Sequence, residues 1–457
     1  MNSLKIRFRR LKFWWNLLIA YVARYKLRLL TLIVSILTLT IIASQIWPQF
    51  TQNNTINIGY VGSYTLETIP TQVLDLVTES LITKDESGKP IPSLASKWTI
   101  SDDGKTYVVF LRDNLKWHDS TNVEAKDISI AIRGIQITAL NNKAIEFKLE
   151  NPISSFPLAL DKPVFKKNSF YGTGPFRIVD IDQVDNLIRK ISLVPKDRNL
   201  PRVNIKFYQT ESQAINALKI GEIKSLEITH AQEISKLTTL DTNKDIAEEE
   251  IITVFLNTQD KLLGSKEMRQ ALYYAINKSE FDGEIVNSPI STANWAYEPE
   301  SRRYEYNPGR AKELLAKSQV DSPKIILSAV GDLEEIAQII KRDWETTGIA
   351  TEIKIEKTVP QSFQALLAIN KLSPDPDQYS TWHSTQLLTN ISHYKNVKID
   401  KLLEDARTES DPEERKKFYS EFQKDIMDDV PAIFLYHPYK YKLTYKNAKR
   451  LIEKLPK

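Results

Sequence analysis

A run of 19 residues without a charged side chain, residues 29–47, follows a strongly basic N-terminus. At about 1.5 Å per residue, a helix of this length just crosses a hydrocarbon layer of about 30 Å. Residues 1–66 carry eight Lys or Arg and no Asp or Glu, and all eight precede residue 29. Because basic flanks stay cytoplasmic, the sequence predicts one transmembrane helix at 29–47, a cytoplasmic or interfacial segment at 1–28 and an external linker at 48–54.

A cleaved signal peptide is the alternative to this anchor. Only Ile42-Ala43-Ser44 faintly resembles a cleavage site, and both the basic region and the apolar run exceed those of a usual signal peptide. We therefore predict that the helix stays uncleaved. A second apolar stretch, residues 11–23, reaches only about 20 Å and is better interpreted as an interfacial helix. The chain has no cysteine, which excludes a lipidated Cys anchor and disulfides.

The net charge of +4 comes from the N-terminus. Removing its eight basic residues from the 62 Lys and Arg leaves 54 against 58 Asp and Glu, so the exported part is mildly acidic. A basic surface for nucleic acid is therefore not expected. With 457 residues, 42% of them hydrophobic, the chain is long enough for two or three lobes.

Two segments show a strand, helix, strand order. In the first, the alternating residues 203–208 lead to a Thr210/Gln213 capping box, a helix and a strand at 225–228. In the second, residues 324–330 precede an Asp332/Glu335 capping box, a helix and a strand at 351–355. Both patterns predict parallel βαβ crossovers. Since they lie far apart in the chain, they indicate two separate α/β lobes.

Short strands with tight turns replace this pattern between residues 91 and 160, which predicts a smaller β-rich subdomain. Other helix starts are marked by Ser265, by Asn307 followed by Pro308, and by Asp411. After the last helix, the apolar residues 432–436 predict a returning buried strand.

Residues typical of catalysis are sparse. His118 and Asp119 are adjacent, so their side chains diverge and form no nucleophile relay without distant partners. The five histidines show no pair at metal-binding spacing, and the glycines at 172 and 174 precede a proline, which makes a poor dinucleotide motif. A tight turn or hinge is the better interpretation. We predict no enzyme, no metal and no cofactor.

One loop combines carboxylates, aromatic rings and prolines. Asp375 and Asp377 are expected to meet a cationic group of a ligand, while Tyr379 and Trp382 supply walls. Trp295 and Tyr297, on another proline-flanked segment, are further candidate ligand contacts. The alternative, in which these residues serve only turn chemistry and packing, stays open at this point.

The chain resembles the extracellular solute-binding proteins of the oligopeptide- and dipeptide-binding type that serve ABC importers. The similarity runs in order from about residue 55 to residue 446. Its motifs are residues 81–88, 91–98 (IPSLASKW), 103–107 and 111–114, 116–119 (KWHD), 125–128, 172–176 (GTGPF), 256–258, 268–277 (MRQALYYAIN), 306–315 and 429–434 (DVPAIF).

The resemblance implies an α/β fold of the periplasmic-binding-protein type II, with two hinged lobes and a small β-rich subdomain. The expected divisions are 55–75 for the first part of lobe I, 76–167 for the β-rich subdomain, 168–264 for the second part of lobe I, 265–430 for lobe II and 431–457 for the return to lobe I. It also implies a monomeric receptor that captures peptides or a similar small solute and delivers them to an ABC permease. A tethered receptor or scaffold without a transport role is the alternative.

The sequence departs from the family at three places, one of which is a short insertion between Ile132 and Ala144 that implies a trimmed subdomain. Ser120 stands where the family usually has Gly after Trp-His-Asp. The peptide-binding members have an aspartate for the peptide's amino end just upstream of the Asp375 loop, whereas this chain has Leu372 and Ser373. The resemblance therefore leaves peptide as the expected ligand class. Either Asp375 takes the place of the missing aspartate and holds the amino end of the peptide, or the ligand has no such amino group.

Overall fold

The computed structural model describes residues 55–229 and 239–456, together with the single residues Trp15, Arg24 and Thr38. The predicted helix at 29–47 and its flanks at 1–28 and 48–54 otherwise lie outside the described residues. Within the described ranges, no helix combines the length and apolar character that a bilayer crossing requires.

The described chain contains strands and helices of very different lengths. The strands are β1 (Thr55–Val61), β2 (Ile82–Lys84), β3 (Pro90–Pro92), β4 (Ala95–Ile100), β5 (Thr106–Leu111), β6 (Ile128–Ser129), β7 (Gln136–Asn141), β8 (Ala144–Lys148), β9 (Phe165–Lys166), β10 (Phe176–Val184), β11 (Leu187–Pro195), β12 (Arg202–Tyr208), β13 (Ser225–Ile228), β14 (Leu240–Ile246), β15 (Glu250–Leu256), β16 (Gly283–Ile285), β17 (Lys324–Val330), β18 (Ala350–Glu356), β19 (Ala365–Lys371) and β20 (Ala432–Tyr445). The α-helices are α1 (Thr71–Leu74), α2 (Phe156–Ala159), α3 (Glu211–Lys219), α4 (Lys266–Ala275), α5 (Pro308–Lys317), α6 (Glu334–Thr346), α7 (Tyr379–Trp382), α8 (Val397–Thr408), α9 (Pro412–Asp429) and α10 (Lys449–Ile452), with short 3₁₀ turns at Ala125–Asp127 and Lys278–Glu280.

The main sheet has the strand order β10-β11-β12-β1-β13-β20-β15-β19-β17-β18. Strands β10, β11, β12, β1 and β13 belong to the first half of the molecule, and β15, β19, β17 and β18 belong to the second half. Strand β20 belongs to both halves. Its beginning pairs with β15, from Ala432 to Tyr436, and its end pairs with β13 and β14, up to Tyr445. The chain crosses a second time between β14 and β15, at residues 247–249. The two crossings are adjacent, because the Ala247 amide donates to the Pro438 carbonyl at 2.9 Å.

Both predicted βαβ units are confirmed as parallel. β12 and β13 lie on either side of β1, and each runs parallel to it. β17 and β18 are direct parallel neighbours, starting with Lys324 opposite Ala350. In each unit the connecting helix covers the sheet with its apolar face. Ala214 and Leu218 are buried on α3, and Ile340 and Trp344 are buried on α6.

Side-chain caps begin four helices where the sequence predicts them. Thr210, Ser265, Asn307 and Asp411 each accept a hydrogen bond from a backbone N–H in the first turn of the helix that follows. The predicted Asp332/Glu335 capping box is wrong. Helix α6 begins after Leu333, which provides no side-chain cap, so tertiary packing rather than a cap fixes this start.

The β-rich part predicted between residues 91 and 160 is confirmed as an antiparallel sheet in the order β4-β5-β8-β7. It has its own core, in which Trp117, Phe147 and Phe156 are fully buried. The second half of the main sheet has a larger core around Phe255, Trp344 and Phe434. Each apolar cluster stabilises its own part of the molecule, by about 25 cal/mol for every Å² of apolar surface removed from water.

Candidate ligand cleft

A cavity of about 230 Å³ lies where three parts of the molecule meet. The β-rich subdomain contributes residues 84–88, and the crossing between the halves contributes Glu248 and Glu249. The second half contributes residues 289–291, 293–294, 372–374, 376 and 378. The last segment follows β19, so the cavity lies at the carboxyl end of a strand of the main sheet. Ligand sites of α/β proteins are commonly found there.

The rim of this first cavity is charged. Lys84 of the subdomain pairs with Glu249 of the crossing at 3.0 Å, and Asp85, Glu86 and Glu248 lie beside them. The Leu372 amide donates to the Glu249 carbonyl at 2.7 Å, which fixes the start of the 372–378 segment against the crossing. The Lys84–Glu249 pair is partly exposed and contributes little to stability, about 0–1 kcal/mol. It joins the subdomain to the crossing.

The β2–β3 hairpin has a tightly ordered tip. The Asp85 carboxylate accepts hydrogen bonds from the backbone amides of Ser87 and Lys89, both at 2.9 Å, and from the Ser87 hydroxyl at 2.8 Å. These bonds hold the pKa of Asp85 below its ordinary value. Gly88 has a φ of +83°, a conformation that glycine adopts without steric cost. The tip is thus a preformed turn.

This tip contacts the predicted binding loop directly. A Cβ atom added to Gly88 would lie 2.9 Å from the Pro374 carbonyl oxygen. The same oxygen accepts a hydrogen bond from the Asn294 Nδ2 atom at 2.9 Å. A side chain at residue 88 would displace one partner, so the absence of a side chain allows the subdomain and the second half to meet here.

Asp375 is paired inside the protein. Both it and Arg415 are buried, and the guanidinium donates to the two carboxylate oxygens at 2.6 and 2.8 Å. Burial acts to lower the pKa of Arg415, but hydrogen bonding and the charge of Asp375 outweigh it and raise that pKa. Arg415 occupies both carboxylate oxygens of Asp375 in this structure, so the expected contact between Asp375 and a ligand cation stays a prediction.

Asp377 and Tyr379 are also held by protein groups. The Asp377 carboxylate accepts from the Tyr379 amide at 3.0 Å and lies 3.2 Å from the Arg407 Nε atom. The Arg407 guanidinium lies over the Tyr379 ring at 4.5 Å, and the ring stacks on His383 at 4.1 Å. Asp377 additionally accepts from the Ser155 hydroxyl of the subdomain at 3.4 Å. Neither Asp377 nor Tyr379 lines the first cavity, so their ligand contacts stay predictions.

Trp382 has no exposed surface. Its indole N–H donates to the Gln378 side chain at 3.1 Å, and its ring packs against Phe255 and Phe434, each with centroids 6.1 Å away. The expectation that Trp382 forms a wall of the ligand site is therefore wrong. Its apolar ring is part of the core of the second half, and the loop sequence could not reveal this because both aromatic neighbours come from distant strands.

Trp295 lines a second cavity of about 100 Å³. This cavity lies between the subdomain residues 88–90, 154–155 and 157–158 and the buried pair of Asp375 and Arg415. Tyr297, the other candidate on this segment, is half-buried and lines neither cavity. The two residues are thus separated, although the sequence grouped them.

The Trp117-His118 motif connects the subdomain to the first half. The His118 Nδ1 atom accepts from the Gly172 amide at 3.1 Å, and its Nε2 atom lies 3.1 Å from the Gly174 carbonyl oxygen. Cβ atoms on Gly172 and Gly174 would lie 2.3 Å and 2.6 Å from the backbone of Val77. The glycines therefore allow two chain segments to touch, in agreement with a tight turn rather than a nucleotide site. Burial lowers the pKa of His118.

Residues 84–88, 248–249 and 289–294 were not identified from the sequence as parts of the site. The Asp-Glu-Ser-Gly run at 85–88 is a recognisable turn, but a turn pattern does not show which surface the turn contacts. Glu248 and Glu249 are part of the acidic run 248–250, which alone suggests a solvated face. Only the crossing of the chain between the halves places these carboxylates beside the cavity.

Comparison with known proteins agrees with the architecture. The sequence matches the bacterial extracellular solute-binding proteins, family 5 (middle region), over residues 89–136 and 129–387, which is more than half of the chain. A relative is the oligopeptide-binding protein AppA of Bacillus subtilis, 24% identical over 85% of this chain and 87% of AppA.

Two solved structures share the fold at 22% identity, each covering 86% of this chain and 94% of the other. They are AppA from Bacillus subtilis in complex with a nonapeptide, with a TM-score of 0.67, and NikZ from Campylobacter jejuni in complex with Ni(L-His), with a TM-score of 0.71. Their different ligands show that this fold does not by itself define the ligand.

Proposed function

Because the chain belongs to the bacterial extracellular solute-binding proteins of family 5, we propose that it captures a peptide or similar small solute between its halves and delivers it to an ABC importer. Proteins of this family bind solutes, and the prediction that the chain is not an enzyme is confirmed. The peptide class is supported by relatives such as the oligopeptide-binding protein AppA.

The observation that carries the proposal is the first cavity between the subdomain, the crossing and the second half. The segments that join the halves, residues 247–249 and 437–438, lie beside each other, and such paired connections allow hinge motion. We place the boundary between the lobes at these two segments rather than at residues 264 and 430, because β15 pairs with β19 of the second half. Ligand binding stabilises the closed lobes, and the permease recognises that form.

The proposal keeps the predicted anchor. The uncharged run at 29–47, with its basic flank, tethers the binding domain outside the cytoplasm as a monomer. Deleting residues 1–47 should move the protein from the membrane fraction to the soluble fraction of cells that express it. Persistence of the truncated protein in washed membranes would contradict the anchor.

Purification of the full-length chain in detergent, followed by mass spectrometry of bound solutes and by equilibrium binding of a mixed peptide pool, tests the ligand class. Enrichment of peptides supports the proposal, and binding of no peptide by a folded protein overturns it. The alternative, a tethered receptor without transport, predicts peptide binding but no co-purifying permease.

A further inference from the structure

The two cavities are neighbours, and Gly88 belongs to the walls of both. The first, of about 230 Å³, lies on the side of the crossing, and the second, of about 100 Å³, lies on the side of Arg415. The contact between Gly88 and the Pro374 carbonyl stands between them. The hairpin tip therefore divides the cleft into two compartments.

The partition consists of the hairpin tip at Gly88 and the loop at Pro374, and the backbone of both is restricted. On the subdomain side, the Asp85 carboxylate fixes the tip through the amides of Ser87 and Lys89. On the other side, Pro374 and Pro376 restrict the backbone φ of the loop, and Asn294 binds the Pro374 carbonyl. A ligand that extended from one compartment into the other would have to separate two preformed turns.

Further contacts hold the subdomain in this position. The Ser154 amide and hydroxyl both donate to the Arg407 carbonyl, at 2.9 and 3.0 Å. The far end of the second compartment is closed by the buried Asp375–Arg415 pair. Moving the hairpin tip away from Pro374 as a rigid body thus also requires breaking the Ser154–Arg407 bonds.

The first compartment is smaller than the range of about 300–1,000 Å³ that is usual for drug-sized ligands. We infer that the Gly88–Pro374 contact limits the ligand to about the size of a dipeptide, so that Gly88 is a specificity-determining residue. This inference rests on the proposed peptide function. It predicts a ligand class that differs from the nonapeptide in the AppA structure.

The chain offers a matched pair of glycines for the test. Gly88→Ala places a Cβ 2.9 Å from the Pro374 oxygen and forces the tip away, whereas Gly134→Ala, also in the subdomain and at a φ of +77°, places its Cβ where no atom lies within 4 Å. Gly134→Ala therefore measures only the strain of an alanine at positive φ, without a steric clash.

Binding of dipeptide and hexapeptide pools to the full-length protein gives the readout. The wild type and Gly134→Ala should bind dipeptides at least 10-fold more tightly than hexapeptides, and Gly88→Ala should lose most of this difference. Equal affinity of the wild type for both pools, or an unchanged ratio in Gly88→Ala, overturns the inference.

A second measurement separates the partition from the peptide proposal. The native chain has no cysteine, so Ser87→Cys and Ser373→Cys can be combined and treated with a short bifunctional thiol reagent. Cross-linking in the ligand-free protein supports the partition even if no peptide of either length binds, in which case only the proposed ligand class fails. Failure of the two residues to cross-link overturns the partition.

Discussion

The Asp375 carboxylate and the Arg415 guanidinium face each other in the protein interior, joined by two hydrogen bonds of 2.6 and 2.8 Å. The Tyr419 hydroxyl lies 2.9 Å from the same guanidinium, and the Ala406 carbonyl accepts from its Nε atom at 2.9 Å. Removing one partner of such a buried pair strongly lowers the free energy of unfolding, because the remaining charge stays buried without compensation.

Asp375→Ala should therefore lower the free energy of unfolding by about 3–5 kcal/mol. Removing Lys401 from its exposed pair with Asp405 on α8 should change the same quantity far less, because water screens that pair. Chemical denaturation of both variants measures the difference. If Asp375→Ala kept its stability but lost ligand affinity, Asp375 would be a ligand contact after all.

Trp382→Ala should destabilise the protein by about 3–5 kcal/mol, because it removes a fully buried ring between Phe255 and Phe434. Trp295 is only half-buried, so Trp295→Ala should cost clearly less. Thermal and chemical denaturation provide the comparison. Similar costs for the two variants would contradict the assignment of Trp382 to the core.

Lys278 is buried, and its ammonium group donates to the Val286 carbonyl and to the Asn287 side chain at 2.9 and 2.5 Å. Burial lowers its pKa to about 7. The unfolded chain, with an ordinary lysine pKa near 10.4, thus binds more protons between about pH 7 and 10. This lysine therefore makes stability rise with pH in that window, by up to about 1.4 kcal/mol per pH unit.

Lys278→Met should flatten this rise, since methionine does not titrate. The measurement is the free energy of unfolding at several pH values from 7 to 10, with Lys261→Met at an exposed position as the control. Parallel curves for the wild type and Lys278→Met would contradict the effect of burial on Lys278.

Ser120, which replaces the glycine usual in the resembled family, has a φ of +69°. This conformation costs a non-glycine residue about 1–2 kcal/mol, whereas glycine loses about 0.5–1 kcal/mol through its greater freedom in the unfolded chain. Ser120→Gly should therefore stabilise the protein by up to about 1 kcal/mol. The same change at Ser129, in β6, should destabilise it. Denaturation midpoints distinguish the two, and a loss of stability in Ser120→Gly would contradict the strain.

The sequence by itself determined the parts of this protein that depend on local patterns. Alternating and helical periodicity predicted both βαβ units, and capping side chains such as Thr210 and Asp411 predicted where helices begin. The turn-rich stretch predicted the β-rich subdomain. These features depend on interactions within a few residues, which the sequence displays directly. The ordered motifs gave the family.

Only the tertiary structure decided what each polar or aromatic side chain of the loop contacts. Asp375 and Trp382 looked like ligand residues, but Arg415 from α9 and Phe434 from β20 fill the space around them. The first cavity is lined by other residues of the same loop together with the hairpin tip, the crossing and the segment 289–294, which lie far apart in the chain. Such contacts arise from packing between distant elements, and that packing leaves no local pattern in the sequence.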